Sequence, residues 1–320
     1  MKPFAYAKVA TADEAAGLLK QRNTRVIAGG TDLLGLMKER LVEPDRLVDL
    51  SGISQLRGIS ATRETFRVGA LTTLAELAAH QATPPIVKEA LADAATPQLR
   101  NMATVGGNLV QRNRCWYFRS AEHRCWLKGG PRCLAIDGDS RYHAIFGEGE
   151  CRQVTPSDLV PALIALDATV VMRTDEGEDS LPLAQLYVAP TARHRREHNV
   201  GDDDLIVAVR IGGDALHRRG AYLKFMERAT WQFAIASVAV SAGVVDGRAQ
   251  DVRIVAGGVA NVPWRVKAAE DLLTGERIDD ARALAVAERF VRDARPLRDN
   301  AYKVTVLREL VRRGVLRLRD

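Results

Sequence analysis

All four cysteines of the chain fall within residues 115–151: Cys115, Cys125, Cys133 and Cys151. Such clustering in a chain of 320 residues indicates that thiolates hold a metal or an iron–sulfur cluster there. Aromatic and basic side chains are dense in the same stretch, and glycine and proline interrupt it at 129–131 and 137–138. We therefore expect an irregular, functional loop here instead of a helix or a sheet.

Three kinds of site are compatible with these thiols. A [4Fe–4S] cluster takes four thiolates, and the surrounding cations and aromatics would offset its negative charge and exclude water. A structural zinc site usually has cysteine pairs two to four residues apart, whereas the gaps here hold nine, seven and seventeen residues; His123 and His143 are further candidate zinc ligands. Two disulfides suit a small secreted domain better. The residues favour the cluster and leave the alternatives open.

The composition and charge of the chain limit which other classes of function are possible. The chain is long enough for two or three domains, and its 47% of hydrophobic residues can fill their cores. The net charge of +6 is mild and basic residues form no separate stripe, which does not favour nucleic-acid binding. We find no apolar run of about 20 residues that would span a membrane. The first residues contain no hydrophobic signal core, so we expect no export signal on this chain.

Two glycine pairs are candidates for binding a phosphate. The first, Gly29-Gly30, follows a predicted strand at 25–28 and precedes a helical pattern at 33–40, an arrangement that presents backbone N–H groups to an anion. The sequence lacks G-x-G-x-x-G, so a Rossmann fold is not indicated. The second pair, Gly106-Gly107, lies between small and polar residues. Together they suit an extended diphosphate ligand, with two ordinary turns as the alternative.

Periodicity and capping signals place the other elements. Capping boxes at 11–14 and 73–76 open two helices, and Ser157 is a candidate cap for another at 159–166. Further helices are predicted at 85–95, 266–273, 280–294 and 302–313. Strands are predicted at 46–50, 66–70, 169–173, 205–211, 222–225, 234–245 and 252–256. We expect turns at 176–180 and at Asp246-Gly247, and a domain boundary near 212–218.

The two glycine segments, 26–33 and 103–109, together resemble the two FAD-binding motifs of the flavoprotein subunits of the xanthine dehydrogenase / molybdenum hydroxylase family. The resemblance covers the full length and implies an α+β fold of the VAO/PCMH type. Residues 1–215 would form the FAD-binding domain, with subdomains of about 1–55 and 56–215. Residues 216–320 would resemble the C-terminal domain of the CO-dehydrogenase flavoprotein.

The resemblance also implies which residues hold FAD. They are Val26, Ile27, Ala28, Gly29, Gly30, Thr31, Asp32, Leu33, Thr104, Gly106, Gly107, Asn108, Asp158 and Lys224. Asp158 would bond the flavin or its ribityl chain, and Lys224 would lie near the flavin ring. The plain alternatives are a first-turn helix acid for Asp158 and a surface lysine for Lys224.

The cysteine loop is an insertion at 112–154, since most family members pass directly from the second glycine motif to the segment beginning at Ser157. Such an insert resembles two subgroups, the FAD subunit of bacterial periplasmic-type aldehyde oxidoreductase and the β subunit of 4-hydroxybenzoyl-CoA reductase. In both it holds a [4Fe–4S] cluster. The segments 111–118 and 143–147 are more similar to the first subgroup.

The implied function is electron transfer within a molybdenum-dependent aldehyde oxidoreductase complex. A large partner subunit would carry the molybdenum cofactor and a small one two [2Fe–2S] clusters, forming a heterotrimer that passes electrons through FAD to a small-molecule or protein acceptor. The alternatives are a 4-hydroxybenzoyl-CoA reductase-like β subunit and a zinc-loop binding protein. A signal on a partner would carry the complex to the periplasm; without it, the chain would stay in the cytoplasm.

Overall fold

The computed structural model describes residues 1–174, 177–229 and 231–319. Its N-terminal sheet is parallel, with the order β1-β3-β2. The strands are β1 (Ala5–Lys8), β2 (Thr24–Ile27) and β3 (Arg46–Asp49), and the helices between them are α1 (Ala12–Leu19) and α2 (Leu33–Lys38). Thr11 caps α1 as predicted, because its hydroxyl accepts from the backbone N–H of Glu14 at 3.1 Å. The first glycine pair lies between β2 and α2.

A second, antiparallel sheet has the order β4-β5-β8-β6-β7. Its strands are β4 (Ile59–Ala61), β5 (Thr65–Gly69), β6 (Thr169–Thr174), β7 (Gly177–Pro182) and β8 (Leu205–Gly212). The turn predicted at 176–180 was wrong, because residues 177–180 belong to β7 and pair with β6; Glu176 lies outside the described residues. The segment is polar because β7 is a sheet edge whose side chains are largely exposed.

Helices cover one face of this sheet and share a core with it. They are α3 (Leu74–Ala79), α4 (Pro85–Ala92), α6 (Val105–Leu109) and α8 (Leu159–Ala165), while α5 (Pro97–Met102) packs on α3 and contributes no buried residue. The predicted capping box of Thr73 and Glu76 is present, and the Ser157 hydroxyl accepts from Val160 N–H at 3.2 Å. Between α6 and α8 the cysteine loop is irregular, as expected, except for α7 (Trp116–Arg119) and a 3-10 turn at Trp126–Lys128.

A short helix, α9 (Gly213–Leu216), leads into the C-terminal sheet, which is antiparallel with the order β12-β11-β10-β9. Its strands are β9 (Arg219–Phe225), β10 (Ala236–Val245), β11 (Arg248–Gly257) and β12 (Trp264–Arg265). Asp246 and Gly247 both have positive φ, at 51° and 74°, which confirms the predicted hairpin turn. The helices α10 (Lys267–Asp271), α11 (Asp280–Val291) and α12 (Tyr302–Leu316) complete this unit.

The C-terminal core also incorporates the last part of the cysteine loop. Ile145 and Phe146 are buried among its side chains, and the Phe146 ring stacks on Trp264 with centroids 5.0 Å apart. The loop therefore belongs to both halves of the molecule. Within the described residues, every helix is too short or too polar to cross a bilayer.

We predict that Phe290→Ala unfolds the C-terminal unit more easily. Phe290 on α11 is fully buried and packs edge-on against Phe146, so its truncation should lower the free energy of unfolding by about 3–5 kcal/mol. Urea denaturation followed by tryptophan fluorescence measures the change. Leu284→Ala on the same helix is the control, because Leu284 is 42% exposed. Equal effects of the two substitutions would contradict the packing described here.

Candidate functional site

A cavity of about 340 Å³ lies where the N-terminal sheet meets the five-stranded sheet. Both glycine motifs form its wall. The predicted residues that line it are Val26, Ile27, Ala28, Gly29, Gly30, Thr31, Asp32, Leu33, Thr104, Gly106 and Gly107. Segments about 70 residues apart in sequence thus converge on one concave site, as the paired motifs require.

Close backbone approach explains why glycine occurs in these motifs. A Cβ on Gly29 would lie 1.8 Å from the carbonyl oxygen of Met102, just before the second motif, and Gly30 has φ +69°. A Cβ on Gly106 would lie 3.0 Å from that of Ala70. The missing side chains let the two motifs touch and leave backbone, instead of side chains, facing the cavity.

Two buried polar atoms of the cavity wall lack a partner in the described structure, Thr24 Oγ1 and His198 Nδ1. Buried polar atoms are normally hydrogen-bonded. Burial lowers the pKa of His198 to about 4, so its ring is neutral and one nitrogen can accept a hydrogen bond. An extended polar ligand such as FAD fits this wall, because it would supply the missing partners.

Three predicted site residues lie outside the cavity wall: Asn108, Asp158 and Lys224. Asn108 Oδ1 accepts from the Ser157 hydroxyl at 2.5 Å, which ties the second motif to α8. The Asp158 carboxylate binds Lys224 Nζ and the Tyr222 hydroxyl, each at 2.8 Å. Burial raises the pKa of Asp158, and the Lys224 ammonium opposes that rise. The Lys224 side chain is fully buried, so it is not a surface lysine.

The sequence analysis missed a second contributor to the cavity, the segment before β8. Glu197 and His198 line the cavity together with Arg112, and Glu197 is only 8% exposed. Glu197 Oε1 accepts from the backbone and side-chain nitrogens of Asn113 at 3.1 and 2.5 Å, and its other oxygen binds Arg112. The one sequence feature that could have indicated this segment was the high density of charged residues at 191–204. Such a density more often marks a solvated loop than a binding site.

Asp32 connects the first glycine motif to the cysteine loop. Its Oδ1 accepts from Arg114 Nη1 at 2.5 Å and from Arg119 Nη2 at 2.8 Å, and its Oδ2 accepts from the backbone N–H of Arg112 at 2.8 Å. Arg119 also donates to the backbone carbonyl oxygen of Asn113. The side-chain Oδ1 of Asn113 in turn accepts from the backbone N–H of Cys115 at 3.0 Å. A continuous set of hydrogen bonds therefore joins the cavity wall to the first cysteine.

The tertiary structure brings all four cysteines to the wall of one small cavity, together with Phe118, Trp126 and Leu127. All four are free thiols. Across the described residues, no three His, Cys, Asp or Glu side chains are placed to hold a single metal ion. Four cysteine thiols around one small space are the donor set that a [4Fe–4S] cluster takes. The Cys151 thiol also donates a hydrogen bond to the sulfur of Cys133.

Backbone N–H groups stabilise each sulfur as a thiolate. The donors lie two or three residues after each cysteine. They are Tyr117 and Phe118 for Cys115, Leu127 and Lys128 for Cys125, Ala135 for Cys133, and Gln153 for Cys151. Arg152 N–H also donates to Cys133. Hydrogen bonds to ligand sulfurs are one of the means by which proteins stabilise iron–sulfur clusters.

Three of the four thiols, those of Cys115, Cys125 and Cys151, nevertheless resist ionisation on their own. Burial raises the pKa of Cys115 to about 12 and also raises that of Cys125. A hydrogen bond from Cys151 lowers the pKa of Cys133 to about 6, and the same bond raises the pKa of Cys151. Four thiolates would stand together here only beside a compensating cation.

Known families match nearly the whole chain. Residues 2–212 match the FAD binding domain in molybdopterin dehydrogenase, and residues 221–318 match the CO dehydrogenase flavoprotein C-terminal domain. The chain belongs to this family. It is the FAD-binding subunit of an oxidoreductase of the molybdenum hydroxylase family, which confirms the resemblance of the two glycine motifs.

Individual relatives agree with this assignment. The aldehyde oxidoreductase FAD-binding subunit PaoB of Escherichia coli (strain K12) is 37% identical over 95% of this chain and 94% of its own. The carbon monoxide dehydrogenase medium chain of Hydrogenophaga pseudoflava is 26% identical over 98% and 96%. The crystal structure of Cu,Mo-CO dehydrogenase superposes with a TM-score of 0.78 at 23% identity, covering 100% and 99%. That superposition confirms the predicted fold class.

We predict that Gly29→Ala lowers FAD affinity about tenfold or more. The new methyl group would overlap the Met102 carbonyl, and relief of such overpacking displaces one glycine motif at a cost of about 1–3 kcal/mol. Flavin fluorescence titration of the deflavinated subunit measures the dissociation constant. Gly35→Ala on α2 is the control, since a Cβ there meets nothing within 4 Å. Unchanged affinity in Gly29→Ala would show that the two motifs adjust freely.

We predict that Asp32→Asn loosens the start of the cysteine loop. The neutral amide loses its ion pairs with Arg114 and Arg119, which weakens the anchor by about 1–3 kcal/mol. Hydrogen–deuterium exchange of the amides in residues 111–119 should therefore quicken. Asp202→Asn is a matched control at the same cavity, because Asp202 pairs only with the exposed side chains Arg25 and Arg196 in the described structure. Equal exchange in both variants would rule out Asp32 as the anchor.

Proposed function

We propose that this chain is the FAD and [4Fe–4S] electron-transfer subunit of a molybdenum-dependent aldehyde oxidoreductase. The observation that carries the proposal is the convergence of all four cysteines, each with backbone N–H donors, beside a cavity formed by the two FAD motifs. The relative PaoB, which is named as an aldehyde oxidoreductase subunit, supports the choice of reaction. FAD, when bound, exchanges electrons singly or in pairs, and this chain supplies its position and surroundings.

The glycine motifs would hold the FAD pyrophosphate and ribityl chain. Residues 28–32, Thr104 and Gly107 line the cavity, and the glycines among them present no side chain to a ligand. Asn108, Asp158 and Lys224 would act from behind the second motif, fixing α6 against α8 and β9 and keeping a buried charge near the flavin. We propose the domain division 1–215 and 216–320, with the subdomains at about 1–55 and 56–215.

The [4Fe–4S] cluster would be held by Cys115, Cys125, Cys133 and Cys151. Its negative charge would be balanced by the cations gathered in the loop, while Phe118, Trp126 and Leu127 exclude water from it. Arg195 fixes this wall from the other side: its guanidinium lies 4.6 Å from the Trp126 ring centroid and donates to the carbonyl oxygen of Trp126 at 2.6 Å. The loop geometry thus favours a rigid, dry cluster site.

The complex would be a heterotrimer with a large molybdopterin subunit and a small subunit carrying two [2Fe–2S] clusters. Electrons would pass from the partner clusters to FAD and leave to a small-molecule or protein acceptor. Relatives named as subunits and medium chains support a multi-subunit assembly. We propose a periplasmic location reached with a signal-bearing partner, with the cytoplasm as the alternative.

We predict one FAD and about four irons per chain after anaerobic purification with the partner subunits, once partner iron is subtracted. Cys125→Ser should lose that iron and keep its FAD, because the thiol and the flavin cavity are separate sites. Iron and zinc analysis with flavin extraction measures both. Ile136→Ser is the control in the same loop, since Ile136 is 45% exposed. Zinc in place of iron would overturn the cluster, and absence of flavin would overturn the electron-transfer role.

A further inference from the structure

One histidine of the cysteine loop lies directly on a proposed cluster ligand. His143 Nε2 is 3.2 Å from the sulfur of Cys115, although the two residues are 28 positions apart. His143 is 2% exposed, and its ring packs edge-on against Trp116 with centroids 5.1 Å apart. The contact is therefore between a buried imidazole and a thiol that is partly exposed.

Ligation determines the direction of the hydrogen bond. A cysteine sulfur bound to iron carries no proton, so it can only accept. The imidazole donates from Nε2 both as the cation and as the neutral ring protonated at Nε2, so the bond does not depend on a change of protonation. Cys115 would then accept from His143 in addition to its backbone donors at Tyr117 and Phe118.

The C-terminal unit holds His143 in place. Lys303 Nζ at the start of α12 donates to the carbonyl oxygens of His143 at 3.0 Å and Gly258 at 2.6 Å. Asn300 Nδ2 donates to the carbonyl oxygens of His143 at 3.0 Å and Ala144 at 3.3 Å. Both side chains are fully buried. These hydrogen bonds satisfy the two buried polar side chains and hold the backbone of residues 143 and 144 in place.

We propose that His143 tunes the [4Fe–4S] cluster by donating an Nε2–H hydrogen bond to Cys115, and that Asn300 and Lys303 are its positioning residues. The inference rests on the proposed cluster. A hydrogen bond to a ligand sulfur stabilises the reduced, more negative cluster and so raises its reduction potential. The C-terminal unit would thereby take part in electron transfer, although it supplies no ligand.

The test uses the intact complex and follows the cluster's midpoint potential by electron paramagnetic resonance. His143→Leu removes the donor and should shift the midpoint to lower potential. His143→Gln keeps an amide N–H near the Nε2 position and should shift it less. His123→Leu is the matched control, because His123 lies in the same loop and packs on Tyr117 without contacting a cysteine in the described structure. The FAD and [2Fe–2S] midpoints should stay unchanged in all three variants.

A second measurement needs no variant that might lose the cluster. In wild-type complex labelled with ¹⁵N-histidine, the reduced cluster should show a nitrogen hyperfine coupling, and His123→Leu should retain it. Absence of the coupling, or an unchanged or raised midpoint in an iron-replete His143→Leu, would overturn the role of His143. Wild-type complex without the four additional irons would instead overturn the proposed function. Lys303→Met should give a smaller shift in the same direction as His143→Leu.

Discussion

The carboxylate of Asp32 is the interaction on which the arrangement of the two candidate sites depends. It belongs to the first glycine motif, and it binds the guanidinium groups of Arg114 and Arg119 and the backbone of Arg112. Its side chain is 17% exposed, so these bonds form in a partly dehydrated setting where removing one partner is costly. One acidic residue thus fixes the distance between the FAD cavity and the start of the cysteine loop.

The FAD cavity follows from a second constraint, the contact of two backbones. Gly29 approaches the Met102 carbonyl, so the parallel N-terminal sheet and the helices on the antiparallel sheet meet there without a side chain between them, while Gly106 lets α6 pack closely on Ala70 after β5. The cavity is the space left between these layers, and it is closed at one side by Glu197 and His198. The contact that joins the two layers therefore also shapes the cavity in which we propose that FAD binds.

The cysteine loop is held from several directions, as an anionic cluster site requires. Asp32 anchors its beginning, Arg195 clamps Trp126, and Lys303 with Asn300 fixes His143 from the C-terminal unit. The loop's own backbone hydrogen bonds mainly close short turns, such as that from Gly129 N–H to the Trp126 carbonyl oxygen at 3.0 Å, and the external bonds join these turns to the rest of the fold. Four thiols, three of them buried, can then stand in fixed positions around one small space.

The sequence by itself determined the family and most of the longer elements, but it did not indicate the short strands at Ala5–Lys8 and Ile59–Ala61. The glycine pairs, the capping box of Thr73 and the Asp246-Gly247 hairpin depend on local backbone chemistry, so they were readable, as was the irregular cysteine loop. The strand at Gly177–Pro182 was misread, since a polar edge strand owes its conformation to a distant partner. Only the tertiary structure decided that Asp32 turns to the loop, that Glu197 and His198 close the cavity, and that His143 meets Cys115. Each of these contacts joins residues between 28 and about 170 positions apart, a separation over which no periodicity or capping signal carries information.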